Sequence, residues 1–344
     1  MKRFFGYLKS MPLKRKIKYC TMLISFATAL IFMGAGNYFK ALLPDVNAYK
    51  RWDAEGQYTQ LSVYLPLSRM QDTMLYEGML FQMNDALLKE SIEPENKKSR
   101  MVVGAYSGYG NVTLRTDMAT TTVEAIGVGG DFFYFHPLDM LDGSYLSEDY
   151  LMKDYIILDK ETAWKLFGAI NVTGMSVTIG DVPFLVAGVY EPTDIYLSEE
   201  AGLKENKVYM FYGSLERYGN VNGIQWLDFI LPNPVKGYGE RILTENSTVL
   251  LDDAVVMEQS TRFNAIPLYK LVPDYLERVM SKSGIVYPYW ENVARGYENI
   301  LVAFLLVETV CLVYGTVLLI HTLRPVKNIK RGIKWLVAKI RGRK

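Results

Sequence analysis

Two long apolar runs frame the chain. Tyr19–Phe39 has 21 residues without a charge, and Asn299–Leu323 has 25 with a single acid, Glu308. At 1.5 Å rise per residue, about 20 helical residues cross the roughly 30 Å hydrocarbon core of a bilayer. Each run therefore predicts a membrane-spanning α-helix. Lys40–Gly56 reads as a polar exit segment, and Gln60–Leu65 alternates like a short strand. In Ser68–Ile92, Met70, Met74, Leu75, Met79, Leu80, Met83, Leu87 and Leu88 recur at helical spacing. That pattern predicts an amphipathic helix whose Met-rich stripe packs a core, since Met fills irregular gaps.

Beyond this helix the pattern becomes β-rich. Met101–Tyr106, Val112–Thr116 and Thr122–Val128 read as strands separated by Gly/Asn turns. Asp154–Leu158 is a nearly continuous apolar strand, after which Asp159 is placed to cap a helix running to Gly168. Met175–Ile179 and Pro183–Tyr190 flank Gly180-Asp181, a two-residue hairpin signal. Val208–Tyr212 and Trp226–Leu231 predict further strands, Gly237–Glu245 and Pro267–Lys282 further helices. A last helix begins near Pro288 and is expected to continue unbroken into the second apolar run.

Charge gives the frame an orientation. Residues 1–18 carry seven basic side chains and residues 324–344 nine, with no acid in either tail. The remaining 22 basic residues face all 37 acidic ones, so the middle carries a net charge near −15. Basic residues beside a span mark its cytoplasmic side. The expected organisation is a basic cytoplasmic tail (1–18), a first transmembrane helix (19–39), an extracytoplasmic domain with stalk helices (40–298), a second transmembrane helix (299–323) and a basic amphipathic cytoplasmic tail (324–344). The first run exceeds the apolar length of a cleaved signal, and Ala35-Gly36-Asn37 matches a cleavage site poorly. Both cysteines, Cys20 and Cys311, lie in the spans at unmatched depths, so the exterior domain must be held by its core rather than by a disulfide.

Several chemistries are missing from the pattern. No G-x-x-x-x-G-K-[ST] loop is present, and Gly168–Gly174 lacks the lysine that would reach phosphates. The exterior holds one histidine, His136, in the run Phe132–Leu138, and no cysteine. Common His/Cys metal sites are excluded, and no G-x-S-x-G elbow accompanies His136, which reads as a satisfied structural histidine. No cofactor is expected.

Within Thr122–Tyr190 a series of motifs falls in one order. Ile126-Gly127-Val128 is followed by Asp131-Phe132-Phe133, then Leu141-Asp142-Gly143-Ser144-Tyr145-Leu146. Ile156-Ile157-Leu158 precedes Ala163-Trp164-Lys165-Leu166-Phe167-Gly168. Gly174–Gly180 and Phe184–Val189 complete a hairpin. In combination these resemble the MacB-like periplasmic core domain of FtsX-superfamily ABC transporter permeases, with Ser144 where that family usually has arginine. The resemblance implies an α+β extracytoplasmic domain inserted between two transmembrane α-helices. It also implies structural roles for Gly127, Phe133, Gly143, Leu166, Phe167, Gly168, Gly174 and Gly188, none of them catalytic. The family usually places three transmembrane helices after this domain; here one follows.

Three further features bear on function. Glu308 lies near mid-bilayer, where an unpaired ionised carboxylate is costly; helix assembly, a proton or substrate path, or a neutral acid would each accommodate it. Ser25 and Ala29 place small residues four apart on one face of the first span, a packing signal. In the C-terminal tail, Lys327, Lys330, Arg331, Lys334 and Trp335 accompany an apolar side made by Ile329, Ile333, Leu336, Val337 and Ile340. Such a helix would lie on anionic membrane lipids or dock on a cytoplasmic ATPase. The exterior aromatics Tyr106, Tyr109, Tyr287, Tyr289 and Trp290 read as core or interface residues, and Tyr289 and Trp290, about two turns before the second span, are also placed to touch lipid headgroups. The expected function is a non-catalytic membrane subunit of a MacB/FtsX-type ABC transport or mechanotransmission complex. Its partners would be a separate ABC ATPase and FtsX-type permease subunits or a homo-oligomer, with no nucleic acid. A two-span sensor without an output domain is the alternative, and an extracytoplasmic enzyme is a third class with no recognisable site.

Overall fold

A computed structural model describes residues 12–68, 71–94, 96, 99–199, 201, 207–247, 253–274 and 284–323. Residues 41–298 form one compact unit, and the described parts of 1–40 and 299–344 form a second. Met70, part of the predicted 68–92 helix, lies outside the described residues, as do Lys327, Lys330, Arg331, Lys334 and Trp335 of the basic tail.

The second unit is a helix pair. Helix α1 (Leu13–Ala41) buries Ser25, Ala29 and Gly36, and each small side chain lets the partner helix approach closely. Ser25 Oγ donates to the Cys311 carbonyl at 2.6 Å. Phe304 packs edge-on against Phe32 and Phe39, with centroids 5.1 and 5.7 Å apart. A Cβ on Gly315 would stand 3.1 Å from the Phe26 ring. Both α1 and the last helix, α9 (Tyr289–Leu323), are long and apolar enough to cross a membrane. Both cysteines are free.

The segment after α1 departs from the polar exit expected of it. A 3-10 turn (Asp45–Asn47) and α2 (Ala48–Trp52) bury Leu43, Val46 and Ala48. Here three apolar residues spaced through a polar sequence are enough to tie the chain down.

The larger unit is built on a mixed sheet. Its strands are β1 (Tyr58–Tyr64), β2 (Val103–Arg115), β3 (Thr120–Gly130), β4 (Asp139–Gly143), β5 (Tyr155–Asp159), β6 (Ser176–Ile179), β7 (Val182–Glu191), β8 (Lys207–Phe211), β9 (Asn220–Val221), β10 (Trp226–Pro232) and β11 (Val255–Glu258). They run in the order β11-β1-β10-β2-β3-β8-β5-β7-β4, with β6 bridging β2 and β7, and β9 on β2. Two pairs, β3/β8 and β5/β7, are parallel. The helices between strands are α3 (Thr73–Lys89), α4 (Phe132–Phe135), α5 (Lys160–Phe167), α6 (Tyr212–Tyr218) and α7 (Tyr238–Asn246), and α8 (Ala265–Lys270) follows β11.

Local chemistry explains most of these elements. Asp159 accepts from the Glu161 and Thr162 amides at 3.0 and 2.9 Å, satisfying the first orphan donors of α5. Gly168 ends α5 at φ +69°, the left-handed position that favours glycine. Asp72 caps α3, which buries Tyr76, Met79, Met83 and Leu87 while Met74 and Phe81 stay outside; the buried stripe is narrower than the apolar periodicity. The region 101–116, expected as two strands with a turn, is the single strand β2. Its glycines are close approaches rather than turns, since a Cβ on Gly110 would stand 2.1 Å from the Asn220 carbonyl oxygen. The helix expected over 267–282 is described only as α8, and 275–283 lie outside the described residues.

Three apolar clusters result. One lies under α5 around Leu158, Leu166 and Phe184. Another lies under α3 and α7 around Leu61, Met83 and Phe229. The third is aromatic, gathering Tyr64, Phe132, Phe135, Tyr209, Trp226, Tyr287 and Trp290. Tyr289 and Trp290 thus pack the domain core rather than a headgroup layer. Trp290 is 4% exposed, and the Tyr289 hydroxyl meets that of Tyr209 at 3.2 Å.

Candidate functional site

The aromatic cluster surrounds a chain of charged and polar groups contributed by β1, β10, the residues after α4 and after β11, α9 and the segment after α1. Residue 262 follows β11 and enters the core as a fully buried arginine. Arg262 donates from Nε to Glu298 at 2.9 Å and from Nη1 to Glu291 and Gln259 at 2.8 and 2.7 Å. Its Nη2 reaches the second Glu291 oxygen at 3.1 Å. Arg295 Nε donates to Glu291 at 2.8 Å, and the Tyr64 hydroxyl donates to it at 2.9 Å. Glu291, Arg295 and Glu298 recur at three- and four-residue spacing, so α9 presents all three on one face.

Gln259 continues the chain. Its amide donates to Ser62 Oγ at 3.0 Å, and Ser62 in turn donates to Asp228. The other Asp228 oxygen lies 3.0 Å from His136 Nε2, and His136 Nδ1 lies 2.8 Å from Asp45. With a carboxylate on each ring nitrogen, only the doubly protonated imidazolium can donate to both. The His136 ring also lies over Trp290, with centroids 4.0 Å apart.

Electrostatics follow from this geometry. Burial alone would lower the His136 pKa, but Asp228 and then Asp45 outweigh it and raise it to about 9. Burial pushes the Glu291 carboxyl up, yet the charges and hydrogen bonds of Arg262 and Arg295 hold it below its ordinary value. Burial works against the Arg262 charge, and Glu291 and Glu298 more than restore it. His136, Glu291, Arg262 and Arg295 are thus each held in the charged form at neutral pH. Among the described residues no group of three or more His, Cys, Asp or Glu side chains is arranged to hold a metal.

What this arrangement can do is mechanical. It fastens Asp45, a few residues after α1, to β1 and β10, and both to the opening turns of α9. A displacement of α9 along its axis would break several charged hydrogen bonds at once.

The residues singled out from sequence lie elsewhere. Gly143, at φ +74°, would place a Cβ 2.1 Å from the Ala187 carbonyl oxygen, and Gly188 a Cβ 2.8 Å from that of Asp142; together they let β4 pair with β7. Gly127 sits in β3 under Leu215 of α6, and Gly174 precedes β6 at φ +81°. Leu166 of α5 is fully buried and Phe167 packs partly against the same cluster. Phe133 stacks on Tyr145 at 4.9 Å. Glu308 is half-buried in α9 and makes no ion pair among the described residues. Sequence reading found His136 as structural but missed Asp45, Asp228, Arg262, Glu291, Arg295 and Glu298. The available signals were Asp228 inside the apolar run Trp226–Leu231 and the charged face repeating through 291–298.

Comparison with known proteins bears on this architecture. The family described as MacB-like periplasmic core domain matches residues 21–261. The chain belongs to that family. Its matched region extends well beyond the 122–190 stretch whose motifs resemble it. The macrolide export ATP-binding/permease protein MacB of Chromobacterium violaceum is 29% identical over 107 residues, covering 30% of this chain. That match spans 15% of the length of the Chromobacterium protein. Among solved structures, the periplasmic region of MacB from Actinobacillus actinomycetemcomitans aligns with 15% identity and a TM-score of 0.41, covering 64% of this chain and 94% of that one. The extracellular domain of the noncanonic ABC-type transporter YknZ from Gram-positive bacteria aligns with 18% identity and a TM-score of 0.36, covering 58% and 99%. This MacB-like α+β domain is therefore flanked by two apolar helices of spanning length.

Proposed function

We propose that the chain is a non-catalytic, two-pass subunit of an ABC-type transport or mechanotransmission complex, with both termini cytoplasmic and the MacB-like domain outside. The exterior domain engages a partner or cargo, and α9 carries the resulting strain to a separate ATPase-driven permease. The observation that supports this reading is the continuity of α9 from Tyr289 to Leu323, with Glu291, Arg295 and Glu298 clamped in the buried network. A helix held by charged hydrogen bonds at one end transmits displacement better than a flexible linker. On this reading Glu308 meets a polar group of another chain inside the membrane, because an isolated carboxylate there is costly. The basic tail holds the inner leaflet through Lys327, Lys330, Arg331, Lys334 and Trp335.

The test is affinity purification of the full chain from cross-linked membranes, followed by mass spectrometry. Recovery of an ABC ATPase and an FtsX-type permease supports the proposal. Recovery of a kinase or transcriptional regulator without any transporter component would replace it with the sensor reading.

A further inference from the structure

Apart from the network, the exterior unit holds an open cleft framed by β2, β3, β10 and the start of α9. It offers about 300 Å³, at the lower end of the usual range of roughly 300–1,000 Å³ for small-molecule sites. Four aromatic side chains line it: Tyr109, Trp226, Tyr287 and Tyr289. Glu124 of β3 is also in the lining. Its Oε1 accepts from the Tyr109 hydroxyl, while Oε2 lies 3.2 Å from Lys207 Nζ and accepts no hydrogen bond. On the α9 side, Asn292 donates its amide to the Tyr287 carbonyl at 3.3 Å, leaving Oδ1 buried without a donor. The third buried lining atom without a hydrogen bond is the Tyr287 hydroxyl, on a side chain 4% exposed.

Two of these three atoms can only accept, and the hydroxyl can accept or donate. Among the described residues the charged lining side chains are Glu124, Glu199 and Lys207, and Lys207 is ion-paired with Glu124. Aromatic faces attract cations through the ring quadrupole. An anion would meet the carboxylates of Glu124 and Glu199 and the unfilled Asn292 Oδ1. A neutral apolar body would desolvate Glu124 and Asn292 without satisfying them.

We propose that this cleft binds a small organic cation, a primary ammonium carried on a short hydrocarbon or aromatic body. The ammonium donates to Glu124 Oε2 and Asn292 Oδ1, and the body lies against the aromatic walls. Tyr289 and Asn292 belong to the first turn of α9, so occupancy is felt by the helix that the network clamps. This site stands apart from the proposed assembly, since binding to the purified chain needs no other subunit.

The experiment is calorimetric titration of the full chain in detergent with phenethylammonium, phenethyl alcohol and 3-phenylpropanoate. The expected result is saturable binding of the ammonium, at least tenfold tighter than the alcohol, with none of the carboxylate. Glu124→Gln should weaken ammonium binding at least tenfold while the variant melts as a folded protein. If that variant does not fold, Asn292→Leu serves in its place, and the three-ligand comparison on the unaltered chain still decides. No binding, equal binding of ammonium and alcohol, or undiminished binding in a folded variant would overturn the proposal.

Discussion

Replacing Arg262 with methionine keeps much of the side chain's bulk and removes its charge. Four hydrogen bonds vanish: one to Glu298, two to Glu291 and one to Gln259. Glu291 retains Arg295 and Tyr64 but remains a fully buried carboxylate with half its compensation gone. Removing one partner of a buried ion pair costs about 3–5 kcal/mol, because the charge left behind cannot be resolvated. At roughly 2–4 °C per kcal/mol for a domain of this size, Arg262→Met should lower the melting temperature by about 10 °C. Arg262→Lys keeps the charge but loses the planar fork, leaving buried acceptors unmet at about 1–3 kcal/mol. Adding Glu291→Gln to Arg262→Met removes the stranded charge and should recover part of the loss. The assay is thermal unfolding of the full chain in detergent, followed by circular dichroism. An Arg262→Met variant melting within about 3 °C of the parent, against that roughly 10 °C expectation, would refute the claim that this network holds the domain together.

Other expectations follow from the same structure. Because the His136 pKa is raised to about 9 against about 6.5 unfolded, its contribution is complete below about pH 6.5 and fades as pH rises through about 9. The stability difference between the parent and His136→Gln should therefore shrink from pH 7 to pH 10; a constant difference would contradict the charged assignment. Gly143→Ala should cost more than about 2 kcal/mol, combining left-handed strain with collision against the Ala187 oxygen. Gly174→Ala, at similar φ but in open space, should cost about 1 kcal/mol in the same denaturant titration; equal losses would show that the collision is relieved. Ala29→Leu should separate the helix pair, read as a lower SDS concentration at the unfolding midpoint, and an unchanged midpoint would argue against α1 packing through its small residues.

How much was legible in the sequence depended on how local the signal was. Helix α5 is written between Asp159 and Gly168, and the β6–β7 hairpin at Gly180, because a cap or a two-residue turn is settled by neighbours in the chain. The apolar runs and their basic flanks were legible for the same reason. The network was not. Arg262 and Glu291 are 29 residues apart, and Asp45 and His136 are 91 apart, so only the folded sheet brings their charges together. Glycines misled where they serve tertiary contact: Gly108 and Gly110 read as a turn, yet β2 runs straight through them, with the residues around β9 lying where side chains would be. Trp290 read as a core or interface aromatic that its distance from the span also placed near the headgroups. Its ring instead packs His136, Phe132 and Trp226, a preference that linear position does not encode.

Labelling in intact cells tests the central claim most directly. With Cys20 and Cys311 replaced by serine, a cysteine introduced at Asp181, in the exposed turn before β7, should react with a membrane-impermeant maleimide. One introduced at Lys14 should react only after the cells are broken. Modification at Lys14 in intact cells, with Asp181 protected, would place the MacB-like domain in the cytoplasm and remove the basis for the proposed function.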